Sequence, residues 1–173
     1  MATERPARPY AVLDIDGVLA DVRHRLHHLD QRPKDWPAFF AAAPEDELLA
    51  EGAAVAATLA AEHEVVYLSG RPVSCRTATE DWLRRHGLPP GRLLLRPTRD
   101  RRPARLVKVE RLRELARDAP VGMVVDDDAA VVAAVRAAGF PVLHATWMTE
   151  PGAGTDQGAQ ATLFEAQEHD GRT

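Results

Sequence analysis

Short apolar runs alternate along the chain with segments of helical periodicity. The runs lack strict alternation of apolar and polar positions, which is typical of strands that are covered on both faces. We predict strands at Tyr10–Ile15, Glu64–Ser69, Arg92–Arg96, Gly122–Asp126 and Phe140–Ala145. Because strands and helices alternate, the pattern favours a parallel sheet with right-handed crossovers.

The segments between the apolar runs predict helices. They are Asp35–Ala43, Glu51–Ala61, Cys75–His86, Leu106–Arg117 and Ala129–Ala138. In the fourth helix, an apolar face is predicted from Leu106, Val109, Leu112 and Ala116. Gly87 and Gly139 each follow a helical pattern, where a C-terminal glycine cap is usual.

The length of 173 residues fits one domain with a sizeable core. We predict an α/β domain over residues 1–148, with helices that flank a Rossmann-like five-stranded parallel sheet. Residues 149–173 are rich in Gly, Gln and Ala and are predicted to form a loosely ordered tail.

The composition is that of a soluble globular protein, with 28% charged and 45% hydrophobic residues. No apolar run approaches the ~18 residues that a membrane span needs, so we expect no membrane partner. Cys75 is the only cysteine, which excludes an internal disulfide and indicates the cytoplasm. The net charge of −4 does not by itself predict nucleic-acid binding.

Lysine is rare in this chain. Of the 22 lysine and arginine residues, all but Lys34 and Lys108 are arginine. A Walker A phosphate loop requires a lysine that follows a glycine, and neither lysine does so. The sequence therefore excludes a P-loop kinase within this chain.

Polar residues gather at the predicted carboxyl ends of the strands, where open parallel sheets bind their ligands. In chain order they are Asp14 and Asp16 after the first strand, Ser69, Gly70 and Arg71 after the second, Lys108 in the fourth helix, and Asp126, Asp127 and Asp128 after the fourth strand. We expect these side chains to meet at one edge of the sheet.

Residues of these types suit phosphoryl transfer. One carboxylate can attack phosphorus, and a second can protonate the leaving oxygen and later activate water. Clustered aspartates repel one another unless a hard cation lies among them, and Mg²⁺ prefers oxygen ligands. A lysine, a hydroxyl group and backbone amides can stabilise the phosphoryl oxygens as charge develops.

Four motifs, in chain order, resemble those of the haloacid dehalogenase superfamily: Asp14-x-Asp16, Ser69, Lys108 and Asp126-Asp127. The resemblance spans roughly residues 10–147. The resemblance implies Mg²⁺ as cofactor, Asp14 as nucleophile, Asp16 as general acid and base, Ser69 as a phosphate ligand and Lys108 as a bridge between nucleophile and phosphoryl group. It also implies metal ligation by the Asp14 side chain, the Asp16 backbone carbonyl and Asp127, with support from Asp126. The stretches on either side of Ser69 are too short for a full cap domain, so we expect a capless member.

The chain resembles more closely the 3′-phosphatase domain of bacteriophage-type polynucleotide kinase–phosphatases. The matching stretches are residues 14–21 with Arg25, residues 34–40, residues 69–72, residues 81–83, residues 86–87 and residues 107–108. The resemblance implies that Arg25, Ser69, Gly70 and Arg71 serve substrate binding. Two positions depart from the family pattern: Ala104 replaces an acidic residue, and Asp128 replaces an arginine.

Capless members of the superfamily tend to act on large substrates that cover the site themselves. Our first hypothesis is therefore a phosphomonoesterase that removes 3′-phosphates from DNA or RNA ends, with end repair as its setting. A small-molecule phosphatase is the alternative, because residues 14–21 also resemble the 5′(3′)-deoxyribonucleotidases. A signalling receiver module ranks low, because its lysine follows the acidic motifs whereas Lys108 precedes Asp126. A catalytically idle binding module also ranks low, because no core motif residue is missing.

For several other conspicuous residues, a structural role must be weighed against a role in substrate binding. Asp128 is expected to be the N-cap of the helix that starts at Ala129. The aromatic residues Trp36, Phe39, Phe40 and Trp82 favour core packing over base stacking. An arginine-rich loop precedes Lys108, with Arg96, Arg99, Arg101, Arg102 and Arg105; a solvated loop and a phosphate-binding rim are equally good interpretations of it.

Overall fold

A parallel sheet forms the centre of the protein, and the computed structural model describes residues 7–30 and 32–149. The strands are, in chain order, Tyr10–Leu13 (β1), Ala20–Asp21 (β2), Glu47–Leu48 (β3), Glu64–Pro72 (β4), Gly91–Arg96 (β5), Val121–Asp126 (β6) and Val142–His144 (β7). Five of them form one sheet in the order β5-β4-β1-β6-β7, and every neighbouring pair is parallel. The predicted α/β fold class is therefore confirmed.

The α-helices of the described residues each overlap a predicted helix. They are Trp36–Ala41 (α1), Ala50–Ala60 (α2), Arg76–Arg85 (α3), Ala104–Leu115 (α4) and Ala129–Ala137 (α5). Successive side chains of a strand point to opposite faces of the sheet. Accordingly, Ala11 and Leu13 of β1 pack in the core beneath α2 and α3, and Tyr10 and Val12 pack in the core beneath α4 and α5.

The buried face of α4 differs from the predicted one. Leu106 is 47% exposed and Ala116 is exposed, so the predicted apolar stripe is wrong at these two positions. Instead, Lys108, Leu112 and Leu115 are buried, at helical spacing. The helix keeps this orientation because Lys108 on its inward face forms ion pairs with Asp14 and Asp126, at the ends of β1 and β6.

The helix ends follow the local signals in the sequence. Gly87 and Gly139 have φ of +64° and +87°, as expected of glycines that end helices. Asp128 is the N-cap of α5, and its side chain accepts hydrogen bonds from the amides of Ala130 and Val131. These predictions are confirmed.

The segment between β1 and β4 builds a wall beside the carboxyl edge of the sheet. Its described residues form the antiparallel pair β2–β3, a 3₁₀ helix at Arg23–Leu29, and the helices α1 and α2. Trp36 and Phe39 are buried in its own core cluster, while Trp82 of α3 is buried in the core of the sheet. The core interpretation of these three aromatics is confirmed, and the described part of the segment contains no inserted cap domain.

The described residues contain no helix that is long and apolar enough to cross a membrane. The predicted tail, residues 149–173, lies outside the described residues except at its first position.

Candidate active site

Asp14 directly follows β1 and is buried at the carboxyl edge of the sheet, with an exposed fraction of 4%. Its amide donates to the Val125 carbonyl at 2.9 Å, and its Oδ1 accepts from the Ile15 amide at 2.7 Å. These two bonds orient the other carboxylate oxygen, Oδ2, towards Lys108. The predicted nucleophile is therefore held in one orientation by the backbone that surrounds it.

Gly17 closes the turn after β1 and makes room for another carboxylate. Its φ of +79° lies in the region that only glycine adopts without strain. A Cβ atom at this position would also lie 1.9 Å from Oδ2 of Asp127. Glycine is thus required twice, once by the turn and once by the approach of Asp127.

Lys108 connects the first strand to the acidic cluster at the end of β6. Its Nζ donates to Asp14 Oδ2 at 2.6 Å and to Asp126 Oδ2 at 2.5 Å, and all three residues are buried. Burial disfavours its charge, but the carboxylates of Asp126 and Asp14 outweigh burial and raise the pKa of Lys108. Lys108 therefore remains a fixed positive charge.

Lys108 compensates only part of the cost of burying the negative charge of Asp14. Burial raises the pKa of Asp14 to about 7, against the opposing effect of Lys108. A carboxylate with such a pKa is only partly ionised at neutral pH. A further cation beside Asp14 would keep the nucleophile ionised.

Asp127 supplies the strongest sign of a cation site. Both of its carboxylate oxygens are buried and make no hydrogen bond within the described residues. Burial, with Asp126 and Asp14 close by, raises the pKa of Asp127 well above its usual value. An unpaired buried carboxylate is costly unless it is paired or coordinates a metal. Oxygen atoms of Asp14, Asp126 and Asp127 lie within 4.8 Å of one another, a donor set that fits Mg²⁺.

Asp16 has the opposite environment, although it lies only two positions from Asp14. Its Oδ1 accepts from Arg25 Nη2 at 2.8 Å and from Arg71 Nη2 at 2.6 Å. Burial alone would raise the pKa of Asp16, but Arg71 and Arg25 together overcome burial and lower it to about 2. Asp16 is thus held as a carboxylate.

Asp46 completes this network, and the sequence analysis missed it. Its carboxylate accepts from Arg25 Nε and Nη2, both at 2.7 Å, and from Arg71 Nη2 at 2.9 Å. Its backbone carbonyl accepts from the Trp82 indole at 2.8 Å. In the sequence Asp46 lies between Glu45 and Glu47, a run typical of a solvated turn, so no local signal distinguishes it.

The predicted substrate-binding residues have two different surroundings. Arg25 and Arg71 are buried, and both guanidinium groups contact Asp16 and Asp46 rather than an open surface. Ser69 and Gly70 lie near the carboxyl end of β4, the strand that pairs with β1. The Arg71 amide donates to Ser69 Oγ at 3.2 Å, which orients the hydroxyl group.

The arginine-rich loop contains two kinds of arginine. Arg96 is buried and donates to the carbonyl of Arg102 at 2.8 Å, and Arg102 pairs with Asp100 and Glu110. These two side chains therefore shape the loop. Arg99 and Arg101 are exposed, which leaves them as the candidates for a phosphate-binding rim.

Comparison with known proteins agrees with this arrangement. Residues 9–147 match the model of the polynucleotide kinase PNKP phosphatase domain. Two structures of the Pnkp1/Rnl/Hen1 complex, one described as an RNA repair complex, are 25% identical with TM-scores of 0.64 and 0.65. They cover 83% and 80% of this chain, which spans only 46% of the matched chains.

More distant structures share the fold. A haloacid dehalogenase-like hydrolase, SP0104 from Streptococcus pneumoniae, is 14% identical with a TM-score of 0.58, over 93% of this chain and 91% of that chain. No curated protein matches the chain. Because the family match covers most of the sequence, the chain belongs to the family of PNKP phosphatase domains and is a phosphatase of the haloacid dehalogenase superfamily.

Proposed function

We propose that the protein is a Mg²⁺-dependent phosphomonoesterase that removes 3′-phosphates from nucleic-acid ends, with Asp14 as its nucleophile. The observation that carries this proposal is the buried contact of Lys108 with Asp14, beside an Asp127 carboxylate that no described residue pairs. A fixed ammonium group, an oriented carboxylate and an unpaired acidic ligand are the components that covalent phosphoryl transfer requires.

The metal site in this proposal consists of oxygen ligands. Asp14 and Asp127 would hold Mg²⁺ together with the backbone carbonyl of Asp16, with support from Asp126. The ion would supply positive charge to the phosphoryl oxygens and to the carboxylates around them.

In the first step, an Asp14 oxygen forms a bond to phosphorus and the ester P–O bond breaks. Asp16 gives a proton to the leaving oxygen, which departs as the alcohol, and Asp14 carries the phosphoryl group. In the second step, Asp16 takes a proton from water, whose oxygen attacks phosphorus. Asp14 is restored and inorganic phosphate leaves. Lys108 and Ser69 stabilise the phosphoryl oxygens in both steps.

The ion pairs of Asp16 suit the second step, in which it acts as a base. For the first step it must hold a proton, which Arg25 and Arg71 oppose in the free protein. We propose that a bound phosphate dianion competes with Asp16 for these guanidinium groups. Loss of either contact would raise the pKa of Asp16, and it would give both arginines the substrate-binding role implied by the family resemblance.

The nucleic-acid substrate is supported by three observations. The matched family model describes a polynucleotide kinase phosphatase domain, and a similar structure comes from an RNA repair complex. The described residues contain no cap domain over the site. Arg99 and Arg101 are exposed on the neighbouring loop, where they suit an extended anionic substrate.

A phosphatase screen tests this function. It compares 3′-phosphorylated DNA and RNA oligonucleotides, the matching 3′-mononucleotides and p-nitrophenyl phosphate. We expect the highest kcat/KM on an oligonucleotide, loss of activity in EDTA and its return with Mg²⁺.

Asp14→Asn should lose on the order of 10³-fold or more in kcat with an unchanged circular dichroism spectrum. Calorimetric titration of Mg²⁺ should show weaker binding to Asp127→Asn.

Two results would contradict the proposal. Full activity of Asp14→Asn, with its mass verified, would exclude the covalent aspartate. Equal efficiency on oligonucleotides and mononucleotides would instead favour the small-molecule alternative.

A further inference from the structure

A cleft of about 560 Å³ opens beside the candidate active site. Its lining includes Trp36 and Phe40 of α1 and Arg101 of the arginine-rich loop. Gly70, the residue that follows the predicted phosphate ligand Ser69, also lines it. Among the described residues, no carboxylate of the catalytic cluster lines the cleft. The cleft is therefore distinct from the carboxylate cluster and adjoins the predicted phosphate-binding residues at Gly70.

The lining of this cleft is largely apolar. The core residue Trp36 stacks against Phe40, with centroids 5.6 Å apart and an interplanar angle of 23°, and Phe40 is the less buried of the two rings. Prolines complete the walls, namely Pro37, Pro44, Pro72 and Pro97. Such surfaces accept the face of a nucleobase, because base stacking on aromatic side chains needs no particular hydrogen-bond pattern.

The charged residues that line the cleft, Arg96, Asp100 and Arg101, all belong to the arginine-rich loop. The Asp100 carboxylate already accepts hydrogen bonds from Arg102, so its charge is largely compensated. Arg101 is exposed and suits contact with a backbone phosphate. The volume far exceeds the needs of a phosphate group and falls in the range of ordinary ligand pockets.

We propose that this cleft binds the nucleobase of the nucleotide that carries the 3′-phosphate, while Ser69 and Gly70 bind the phosphate itself. The proposal rests on the proposed function and adds a base site to it. Because stacking surfaces predominate, the site should accept all four bases with similar efficiency. A base bound in the cleft should also make nucleotide substrates better than small phosphate esters.

An abasic substrate tests the base site directly. Two 3′-phosphorylated oligonucleotides are compared, which differ only in whether the terminal nucleotide carries a base or a tetrahydrofuran abasic residue. We expect kcat/KM to be about tenfold higher with the base, the size that loss of one stacking contact produces. The four bases should differ by no more than about threefold. Equal kcat/KM with and without the base would overturn the proposal while leaving the 3′-phosphatase function intact.

A matched pair of variants locates the effect in the cleft. Ala78 and Thr77 are neighbours on α3 and both are exposed, but only Ala78 lines the cleft. Ala78→Phe should fill the cleft and reduce the base-to-abasic ratio of kcat/KM to near one. Thr77→Phe should keep the wild-type ratio. If Ala78→Phe also kept that ratio, the base would bind elsewhere and the proposal would be wrong.

The single cysteine provides a readout that does not depend on turnover. Cys75 lines the cleft and is half-buried, and burial raises the pKa of its thiol. In the Asp14→Asn variant, the base-containing oligonucleotide should slow maleimide labelling of Cys75 at least about threefold more than the abasic one does. Equal protection by both would overturn the base site. Failure of both oligonucleotides to bind or to react would overturn the 3′-phosphatase function, and the base site with it.

Discussion

At the scale of single residues, charge compensation distinguishes Asp14 from Asp16. Both are buried, but Asp14 contacts one ammonium group whereas Asp16 contacts two guanidinium groups. The pKa values differ accordingly, raised to about 7 by burial for Asp14 and lowered to about 2 by Arg71 and Arg25 for Asp16. Two carboxylates on one strand end can therefore serve as nucleophile and as proton carrier.

The geometry around Lys108 leads to a test of its side-chain shape. Its compact Nζ reaches Asp14 and Asp126 at once within a buried space, and a planar guanidinium group does not fit the same position. We expect Lys108→Arg to lower kcat on p-nitrophenyl phosphate by about 10²-fold or more. Lys34→Arg, at the other lysine of the chain, should leave kcat nearly unchanged. Similar kcat values in the two variants would contradict this role.

Asp46 should be a positioning residue that acts through Arg25 and Arg71. Asp46→Asn removes a buried charge from between two guanidinium groups, and breaking a buried ion pair costs about 3–5 kcal/mol. For a chain of this length we expect Tm to fall by roughly 10 °C in thermal unfolding. At temperatures where the variant is folded, kcat should fall more than KM rises.

The neighbouring Glu47 provides the control for Asp46. Glu47 is exposed, so Glu47→Gln should leave both Tm and kcat close to the wild-type values. If Asp46→Asn behaved in the same way, the buried network would have no role in orienting Asp16.

At the scale of elements, the rotation of α4 matters most for the site. The helix packs Leu112 and Leu115 into the core beside α5 and turns Leu106 to solvent. The same rotation brings Lys108 to the ends of β1 and β6. Core packing and the placement of the Lys108 ammonium group are therefore coupled in one helix.

Two leucine truncations test this orientation. Leu112 is fully buried, so Leu112→Ala should reduce the free energy of unfolding by about 2–5 kcal/mol in urea titration. Leu106 is 47% exposed, so Leu106→Ala should change it by no more than about 0.5 kcal/mol. A larger loss for Leu106→Ala than for Leu112→Ala would mean that the apolar stripe predicted from the sequence is the buried one.

At the scale of the whole molecule, the sheet order gathers distant parts of the chain at one edge. Lys108 and Asp14 are 94 positions apart, and Arg71 and Asp16 are 55 positions apart. β1 lies between β4 and β6, so the ends of all three strands meet. The cleft beside Gly70 and the exposed arginines of the loop form the surface that we propose receives a nucleic-acid end.

Salt dependence tests that surface. If Arg99 and Arg101 contact backbone phosphates, log Kd for a single-stranded oligonucleotide should change linearly with log salt. The double variant Arg99→Gln/Arg101→Gln should reduce the slope by about 0.7 for each contact removed. Activity on p-nitrophenyl phosphate should change little, because it offers no backbone phosphate.

A second double variant controls for the loss of net charge. Arg113 and Arg117 are exposed but lie outside the arginine-rich loop, so Arg113→Gln/Arg117→Gln should keep the wild-type slope. An equal reduction in both double variants would show a nonspecific effect of charge rather than a binding rim.

The sequence by itself determined the five strands of the main sheet, the α-helices and the edge at which the motif residues gather, whereas the short strands β2 and β3 were not predicted. These features depend on local periodicity and on residues next to the strands, such as Asp14 after β1 and Asp126 at the end of β6. The helix cap at Asp128 followed from the residue type and its position alone. Family resemblance supplied the roles of the motif residues.

Only the tertiary structure decided which charges pair and which face of α4 is buried. Asp46 reaches Arg25 across 21 positions and Arg71 across 25 positions, and no periodicity encodes such a contact. Likewise, the sequence pattern placed Leu106 on the buried face of α4, whereas Lys108 lies on that face in the structure and contacts Asp14 and Asp126 at the ends of β1 and β6. The cleft beside Gly70 arises where three segments distant in sequence meet, so its existence depends on packing rather than on any local pattern.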